Sequence, residues 1–168
     1  SQVFGLAEPV LSRAVALGRR GENVEAPLQA AVREQRRGEG DLERALLRAL
    51  LHAPEALETI RAMVGPDDFR DAECGALARW IWSGRVDRPE GGDEGALARD
   101  LTAGAPAGFN WTAEATGAAR RVVERRLKEQ LREHRNQLGR TAEASESARL
   151  IQEIDTIARS LRELSTHA

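Results

Sequence analysis

The feature that most constrains this chain is a leucine-rich run that ends at a proline. Apolar residues recur there at helical spacing, and two further leucines widen their stripe: Leu42, Leu46, Ala49, Leu50 and Ala53, with Leu47 and Leu51. A stripe this wide predicts a core helix that is buried on more than one side. Asp41 is a candidate N-cap for this helix, and Pro54 suits the first turn of the next one.

Three more amphipathic segments follow within residues 41–110. The first has Leu57, Ile60, Met63 and Val64 on its inner face and ends at Gly65. Asp71 is expected to cap the next, which Gly84 ends, and Asp93 a third, which Gly104 breaks. Their inner faces consist of Cys74, Leu77, Ala78, Ile81 and Trp82, and of Leu97 and Leu101, with Trp80 nearly opposite Trp82. The sequence therefore predicts a compact helical bundle in residues 41–110.

Residues 111–168 have a different pattern, typical of two long paired helices. Thr112 is a candidate cap, and the apolar spacing of three or four ends at Gly139, which the polar turn 140–147 follows. The two seams are Val123, Leu127, Leu131, His134 and Leu138, and then Leu150, Ile154, Ile157, Leu161 and Leu164. This pattern predicts a long basic helix that pairs with a second helix in a C-terminal antiparallel hairpin.

The composition agrees with an all-α fold. Alanine, leucine, arginine and glutamate dominate the 168 residues, aromatic residues make up 4%, and tyrosine is absent. Such a composition favours helices over sheets. Residues 1–40 are glycine-punctuated and polar, and we interpret them as a helix and linker. Because the chain begins at Ser1 and its only methionine is Met63, we expect it to be a fragment of a longer protein.

The sequence predicts no catalytic, cofactor or metal site. It has no phosphate loop, no Asp-x-Asp pair, no His-Glu-x-x-His and no nucleophile elbow. A single cysteine, Cys74, allows no internal disulfide and fits a reducing cytoplasm. His52 and His134 are expected to pack, Cys74 to be a buried apolar residue, and the acidic cluster to serve capping and turn formation: Asp67, Asp68 and Asp71. No apolar run is long enough for a membrane span.

The charge distribution leaves two interpretations of the basic helix open. The net charge of −2 argues against a protein whose main task is to bind nucleic acid. Seven cations face three glutamates between residues 119 and 138: Arg120, Arg121, Arg125, Arg126, Lys128, Arg132 and Arg135. They form either a solvated face with local pairs such as Glu124 with Lys128, or a docking surface for an acidic partner or a nucleic acid backbone. Of these two ligands the acidic protein is favoured, because no aromatic residues interleave with the arginines.

Two segments carry a resemblance to a known family. The run from Glu43 to Glu55, and then Pro66-Asp67-Asp68-Phe69-Arg70-Asp71, resemble the C-terminal, helicase-binding domain of bacterial replicative DNA primase over residues 41–168. The N-terminal domain of the replicative helicase shares this opening. Here, however, Val86-Asp87 leads into a proline–glycine run. The chain then continues through the basic helix to a terminal hairpin that ends in Leu161-Arg162-Glu163-Leu164, which is similar to the primase arrangement. An unrelated helical adaptor is a third interpretation.

The resemblance implies a recruitment module without catalysis. Residues 1–40 would be the end of the primer-synthesising domain and a linker, and the partner would be the hexameric replicative helicase. By the family pattern, contacts would concentrate on outward residues of the terminal helix: Arg159, Arg162, Glu163 and Thr166. A basic spot at Arg44 and Arg48 would hold the acidic tail of single-stranded-DNA-binding protein. Contact with nucleic acid or a membrane is not expected.

Overall fold

The computed structural model describes residues 25–84, 89 and 91–166, with side chains from residue 38 onwards except residue 39. The chain divides into two compact units, residues 1–38 and 39–168, and the second carries the features described below. The elements are α1 (Glu25–His52), a 3-10 turn (Pro54–Ala56) that leads into α2 (Leu57–Arg61), a second 3-10 turn (Pro66–Asp68), α3 (Ala72–Trp82), α4 (Gly92–Thr102), α5 (Trp111–Leu138) and α6 (Ala144–Thr166).

The predicted all-α class is confirmed, since the described part of the chain contains helices and no strands. No helix in that part is both long and apolar enough to cross a bilayer. The predicted interpretation of residues 1–24, and the turn at Val86-Asp87, lie outside the described residues.

The first helix begins well before the expected cap. It starts at Glu25, so Asp41 lies inside α1 and the prediction that Asp41 is an N-cap is wrong. The helix also passes through Gly38 and Gly40, where an added methyl group would meet no atom within 4 Å. Each glycine costs about 1 kcal/mol relative to alanine. Strong helix formers surround both glycines, and the helix continues because each further residue adds a backbone hydrogen bond.

The core forms around the leucines of α1. Leu46 and Leu47 are fully buried, and Leu50 nearly so. The other elements contribute mainly these buried residues: Ile60, Val64, Cys74, Leu77, Ala78, Ile81, Leu97, Leu101, Ala115, Ala118, Ala119 and Val122. Full burial of a large apolar side chain stabilises the fold by about 1.5–3 kcal/mol, so the predicted stripes account for the bundle. Trp82, expected in the core, is only half-buried, as Trp80 is.

One of the predicted caps is present and two are displaced. The Cys74 N–H donates to Asp71 Oδ1 at 2.9 Å, which caps α3 and lowers the pKa of Asp71. By contrast, α4 is preceded by Gly91, so Asp93 lies in its first turn. The cap of α5 is Asn110, whose Oδ1 accepts from the Ala113 N–H at 3.0 Å, and Thr112 is inside the helix. Both helices begin two residues earlier than the polar residue in the sequence predicted.

The two long helices pair in the predicted antiparallel hairpin. His134 near the end of α5 meets Glu153 near the start of α6, while Val123 and Leu127 share a groove with Leu164. The predicted seam faces inward, but only Leu150 of α6 is fully buried. The remaining seam residues on both helices are half-buried: Val123, Leu127, Leu131, His134, Leu138, Ile154, Ile157, Leu161 and Leu164.

Candidate protein-docking surfaces

The expected helicase-contact residues lie together on the last two turns of α6. Arg159, Arg162, Glu163 and Thr166 are all exposed, and their spacing places them along one side of the helix. Arg159 Nη2 donates to Asp155 Oδ2 at 2.9 Å, and Arg162 Nε donates to the Ala158 carbonyl at 3.3 Å. These contacts are local to α6, so both guanidinium groups remain at the surface.

A groove of about 540 Å³ runs beside this side of α6, where the hairpin meets the end of α2. We call it the hairpin groove, and its lining residues are Met63, Arg120, Val123, Arg126, Leu127, Ser160, Glu163 and Leu164. Of the expected contact residues, only Glu163 lines it. The apolar lining consists of half-buried seam residues together with Met63. The hairpin therefore leaves part of its own seam open to a partner.

The second expected site, at Arg44 and Arg48, lies in a separate groove of about 370 Å³. We call it the aromatic groove, and its lining residues are Asp41, Arg44, Ala45, Arg48, Leu101, Pro106, Phe109, Trp111 and Glu114. Both arginines project from α1, four residues apart on one face. They lie in the second half of this helix, not at its start, where the family pattern places the basic spot. The structure thus brings the two cations together with two aromatic rings.

Trp111 lies in the wall of the aromatic groove and contacts three neighbouring side chains. The Arg48 guanidinium lies 5.4 Å from the centre of its ring, and Phe109 packs against it with ring centroids 4.5 Å apart. His52 stacks on the same indole at 4.3 Å, which agrees with the packing role predicted for this histidine. Phe109 is 45% exposed, an unusual state for a phenylalanine.

The two arginines differ in how they are held. Arg44 Nη2 lies 3.8 Å from Glu73 Oε2, a loose and exposed ion pair. Arg48 Nε is buried, and no hydrogen-bond partner accepts from it among the described residues. An anionic oxygen in the groove would give that N–H an acceptor. The arrangement suits a ligand with both a carboxylate and an apolar or aromatic group.

Glu43, the acid next to Arg44 in sequence, does not belong to the aromatic groove. It is fully buried and is the only buried charged residue among the described side chains. Its carboxylate accepts from the Arg70 and Asp71 N–H groups at 2.9 and 3.0 Å and pairs with Arg125 at 2.8 Å. Its charge is thus satisfied inside the protein rather than beside Arg44.

The basic segment of α5 is largely paired within the protein. Arg125 pairs with Glu43, Arg126 with Asp68, and the exposed Lys128 with Glu124. Arg121 lies near Glu114, and Arg120 also makes an interaction. Arg132 and Arg135 are exposed near the hairpin turn. Local pairing as the sequence predicted it applies to Arg121 and Lys128, whereas Arg125 and Arg126 pair with acids of other elements.

The remaining candidate groups have structural surroundings. His134 Nε2 lies 2.8 Å from Glu153 Oε2 and links the two hairpin helices, as expected for a packing residue. Burial raises the pKa of the Cys74 thiol to about 12, which makes it unreactive at neutral pH. Asp68 Oδ2 accepts from the Gly65 N–H at 2.9 Å, a turn-forming role like the one predicted. No group of three or more potential metal ligands occurs in the part of the chain that the structure describes.

The roles of two residues were not predicted from the sequence: Phe109, which lines the aromatic groove, and Glu43, which is buried in the bundle. Phe109 precedes α5 in a short loop of alanine, glycine and proline, and a lone large aromatic ring among these small residues was the one signal that the sequence offered. Glu43 stands three residues before Leu46 and seven before Leu50, so its spacing placed a carboxylate on the core-facing stripe of α1. A buried acid on a core stripe indicates an internal cationic partner.

Comparison of the chain with protein-family models, with curated proteins and with solved structures finds no match.

Proposed function

We propose that this chain is a non-catalytic recruitment module of a DNA primase, which docks through its C-terminal hairpin on the hexameric replicative helicase. The resemblance of residues 41–168 to the helicase-binding domain of primase motivates the choice of partner. The all-α architecture, with a bundle followed by a two-helix hairpin, agrees with that resemblance. Docking of this kind would bring primer synthesis to the replication fork and modulate the helicase.

One observation carries the proposal more than any other: the hairpin is incompletely buried. Leu150 is the only fully buried residue of α6, although five apolar residues form its seam. Beside the half-buried seam, Arg159, Arg162, Glu163 and Thr166 present an exposed polar edge. A half-buried apolar strip with a charged border is typical of a protein-docking surface.

Truncation of the hairpin tests the proposed docking. The chain and a version that lacks residues 148–168 are titrated against the helicase hexamer, and affinity is measured by fluorescence anisotropy. We expect the truncated chain to lose binding while circular dichroism shows a folded bundle, because the core residues of α1 to α4 remain. Full binding by the truncated chain would contradict docking through the hairpin. Primer synthesis by this chain alone would contradict the absence of catalysis.

The two other interpretations predict different results in solution. If the chain were the N-terminal domain of the helicase itself, it would self-assemble, and light scattering would detect oligomers. If it were an adaptor unrelated to replication, it would bind neither the helicase nor single-stranded-DNA-binding protein. Each measurement is made on the same purified chain.

The aromatic groove supports a second binding function, that of holding the acidic tail of single-stranded-DNA-binding protein. The specific observation is the buried Arg48 Nε without an acceptor among the described residues, beside Arg44 and the exposed Phe109. A peptide with carboxylates and a large apolar residue would satisfy both features. The acids Asp41 and Glu114, also in the lining, would disfavour a uniformly anionic ligand such as a nucleic acid backbone.

Peptide binding tests this second function. The acidic C-terminal peptide of single-stranded-DNA-binding protein is titrated against the chain. The change in tryptophan fluorescence reports occupancy, since of the three tryptophans Trp111 lines the aromatic groove. Arg44→Glu should weaken binding of the peptide by about tenfold, because we expect the reversed charge to cost about 1.4 kcal/mol of binding free energy. Arg79→Glu, an equal charge reversal at an exposed position of α3, is the matched control. Equal weakening by both variants would show that the peptide senses only net charge.

A further inference from the structure

The long helix α5 is joined to the bundle by a polar cluster, the polar clamp, which comprises Glu43, Asp68, Arg125 and Arg126. Arg125 is 12% exposed, and its Nη1 lies 2.8 Å from Glu43 Oε1. Its Nη2 donates to the Asp68 carbonyl at 2.7 Å. Arg126 Nη1 donates to both carboxylate oxygens of Asp68, at 3.0 and 3.1 Å. One pair of adjacent arginines therefore contacts both α1 and the turn before α3.

The turn is itself fixed from both sides. Asp68 Oδ2 accepts from the Gly65 N–H, and the Glu43 carboxylate accepts from the Arg70 and Asp71 N–H groups. One helical turn beyond Arg125, Glu129 pairs with Arg70. These hydrogen bonds hold the partners of Arg125 and Arg126 in place on the bundle. The two arginines lie on the part of α5 between its buried alanines and the hairpin turn.

The fully buried contacts of α5 with the bundle are made by small side chains, while the larger Trp111 and Val123 pack partly buried against the core. The buried residues of this helix are Ala115, Ala118, Ala119 and Val122. Alanines interdigitate little, so this part of the interface does little to fix the rotation or the axial position of the helix. Trp111 stacks on His52 of α1 and restrains α5 at its N-terminal end. Buried ion pairs contribute little net stability but can specify one arrangement among several of similar packing energy.

From these contacts we propose that the polar clamp sets the rotation and axial position of α5 and so orients the hairpin on the bundle. Arg125 and Arg126 are then positioning residues for docking. The orientation matters because the hairpin groove takes its lining from both parts: Met63 belongs to the bundle, whereas Ser160 and Leu164 belong to α6. A rotated α5 would separate these walls. The first step, that the polar clamp orients the hairpin, does not depend on the proposed function. The second step, that this orientation is needed for docking, rests on the proposed helicase docking.

A distance measurement within the chain tests the first step. Nitroxide labels are attached at Asp100→Cys on α4 and Asn136→Cys on α5, both exposed positions. The native Cys74 is buried and will not react. Double electron–electron resonance should give a narrow distance distribution for the parent and a broader, shifted one for Arg125→Met/Arg126→Met. The matched control, Arg121→Met/Lys128→Met, removes two cations from the same helix that pair with glutamates of α5 itself.

The control should keep the narrow distribution. An unchanged distribution in the Arg125/Arg126 variant would overturn the proposal, as would equal broadening in the control. If the double variant does not fold, Arg126→Met alone decides the question, because it leaves the buried Glu43–Arg125 pair intact. Broadening in that variant supports the clamp, and a distribution like that of the parent overturns it.

Helicase affinity tests the second step. If the variant spends about a tenth of its time in the competent orientation, its affinity for the helicase should fall about tenfold. Binding as tight as that of the parent, despite a broader distance distribution, would overturn the role of the clamp in docking. If the parent itself does not bind helicase, the proposed function fails, whereas the distance measurement still decides whether the clamp orients the hairpin.

Discussion

Glu43 illustrates how one residue changes the interpretation of its neighbours. By sequence it is an acid beside Arg44 that would oppose an anionic ligand, yet it is fully buried and paired with Arg125. Because charges are seldom buried without a partner, its burial requires the arginine that α5 supplies. Its spacing on the core stripe was visible in the sequence. The identity of its partner was not, since Arg125 is one of seven cations in the basic segment and only the fold selects it.

Cys74 gives a prediction about alkaline pH at the same scale. Burial raises its pKa from an ordinary 9.0 to about 12, so the folded state holds its proton where the unfolded state releases it. Its contribution to stability is therefore complete below pH 9.0 and is lost as the pH rises towards 12. We expect the free energy of unfolding to fall by up to about 1.4 kcal/mol per pH unit in this window, as measured by urea unfolding.

Few other groups obscure this measurement, because the chain has no tyrosine and one lysine, the exposed Lys128. Cys74→Ala is the control, and it should flatten the dependence between about pH 9 and 11. If the alanine variant loses stability with rising pH as steeply as the parent, another titrating group is responsible for the loss. Native Cys74 should also resist thiol reagents at neutral pH until the protein unfolds.

At the scale of the elements, apolar periodicity predicted the helices well, and their ends less well. Buried positions of α3 and α4 follow the predicted inner faces, because the burial of apolar area contributes most to the stability of a fold. The starts depend on single hydrogen bonds worth about 1 kcal/mol, and several polar residues compete for each. Asp71 caps α3 as predicted, whereas Asn110 replaces Thr112 as the cap of α5.

The start of α5 allows a direct comparison of two candidate caps. Asn110→Ala removes the acceptor of the Ala113 N–H and should lower the free energy of unfolding by about 1 kcal/mol. Thr112→Ala lies inside the helix, where alanine is the better helix former, and its hydroxyl makes only a 3.4 Å contact with Glu55. Thr112→Ala should therefore lower the free energy of unfolding by no more than a few tenths of a kcal/mol. Free energies of unfolding are measured with urea, and equal losses in the two variants would show that α5 begins later than Trp111.

The hairpin permits a similar comparison between residues of α6. Leu150 is 1% exposed, so Leu150→Ala should cost about 3 kcal/mol, and hydrogen exchange should show faster opening of both hairpin helices. Leu161 is only half-buried, so Leu161→Ala should cost roughly half as much. Ile151 is 56% exposed, and Ile151→Ala is the control with little expected effect. Similar losses at Leu150 and Ile151 would contradict the predicted seam.

At the scale of the whole molecule, the sequence predicted the architecture but not which residues line the grooves on its surface. Periodicity predicted a bundle and a hairpin, and the family pattern indicated the terminal helix and the Arg44–Arg48 spot. The aromatic groove, however, needs Leu101 from α4 and Phe109 from a loop beside the arginines of α1. Local spacing carries no information about such neighbours, because they are brought together by tertiary packing alone.

The two surfaces use different side chains, and this separation leads to the last prediction. Arg159→Glu/Arg162→Glu should weaken helicase binding, most at low salt where screening is least, without affecting the acidic peptide at the aromatic groove. Phe109→Ala should do the reverse, because it removes an exposed ring from that groove and leaves α6 untouched. Both affinities are measured for both variants, with folding checked by circular dichroism. If either variant impaired both ligands equally, the surfaces would not be independent. If the charge reversals bound helicase as well as the parent at low salt, Arg159 and Arg162 would be solvated bystanders, and the exposed Arg132 and Arg135 of α5 would be the next residues to test.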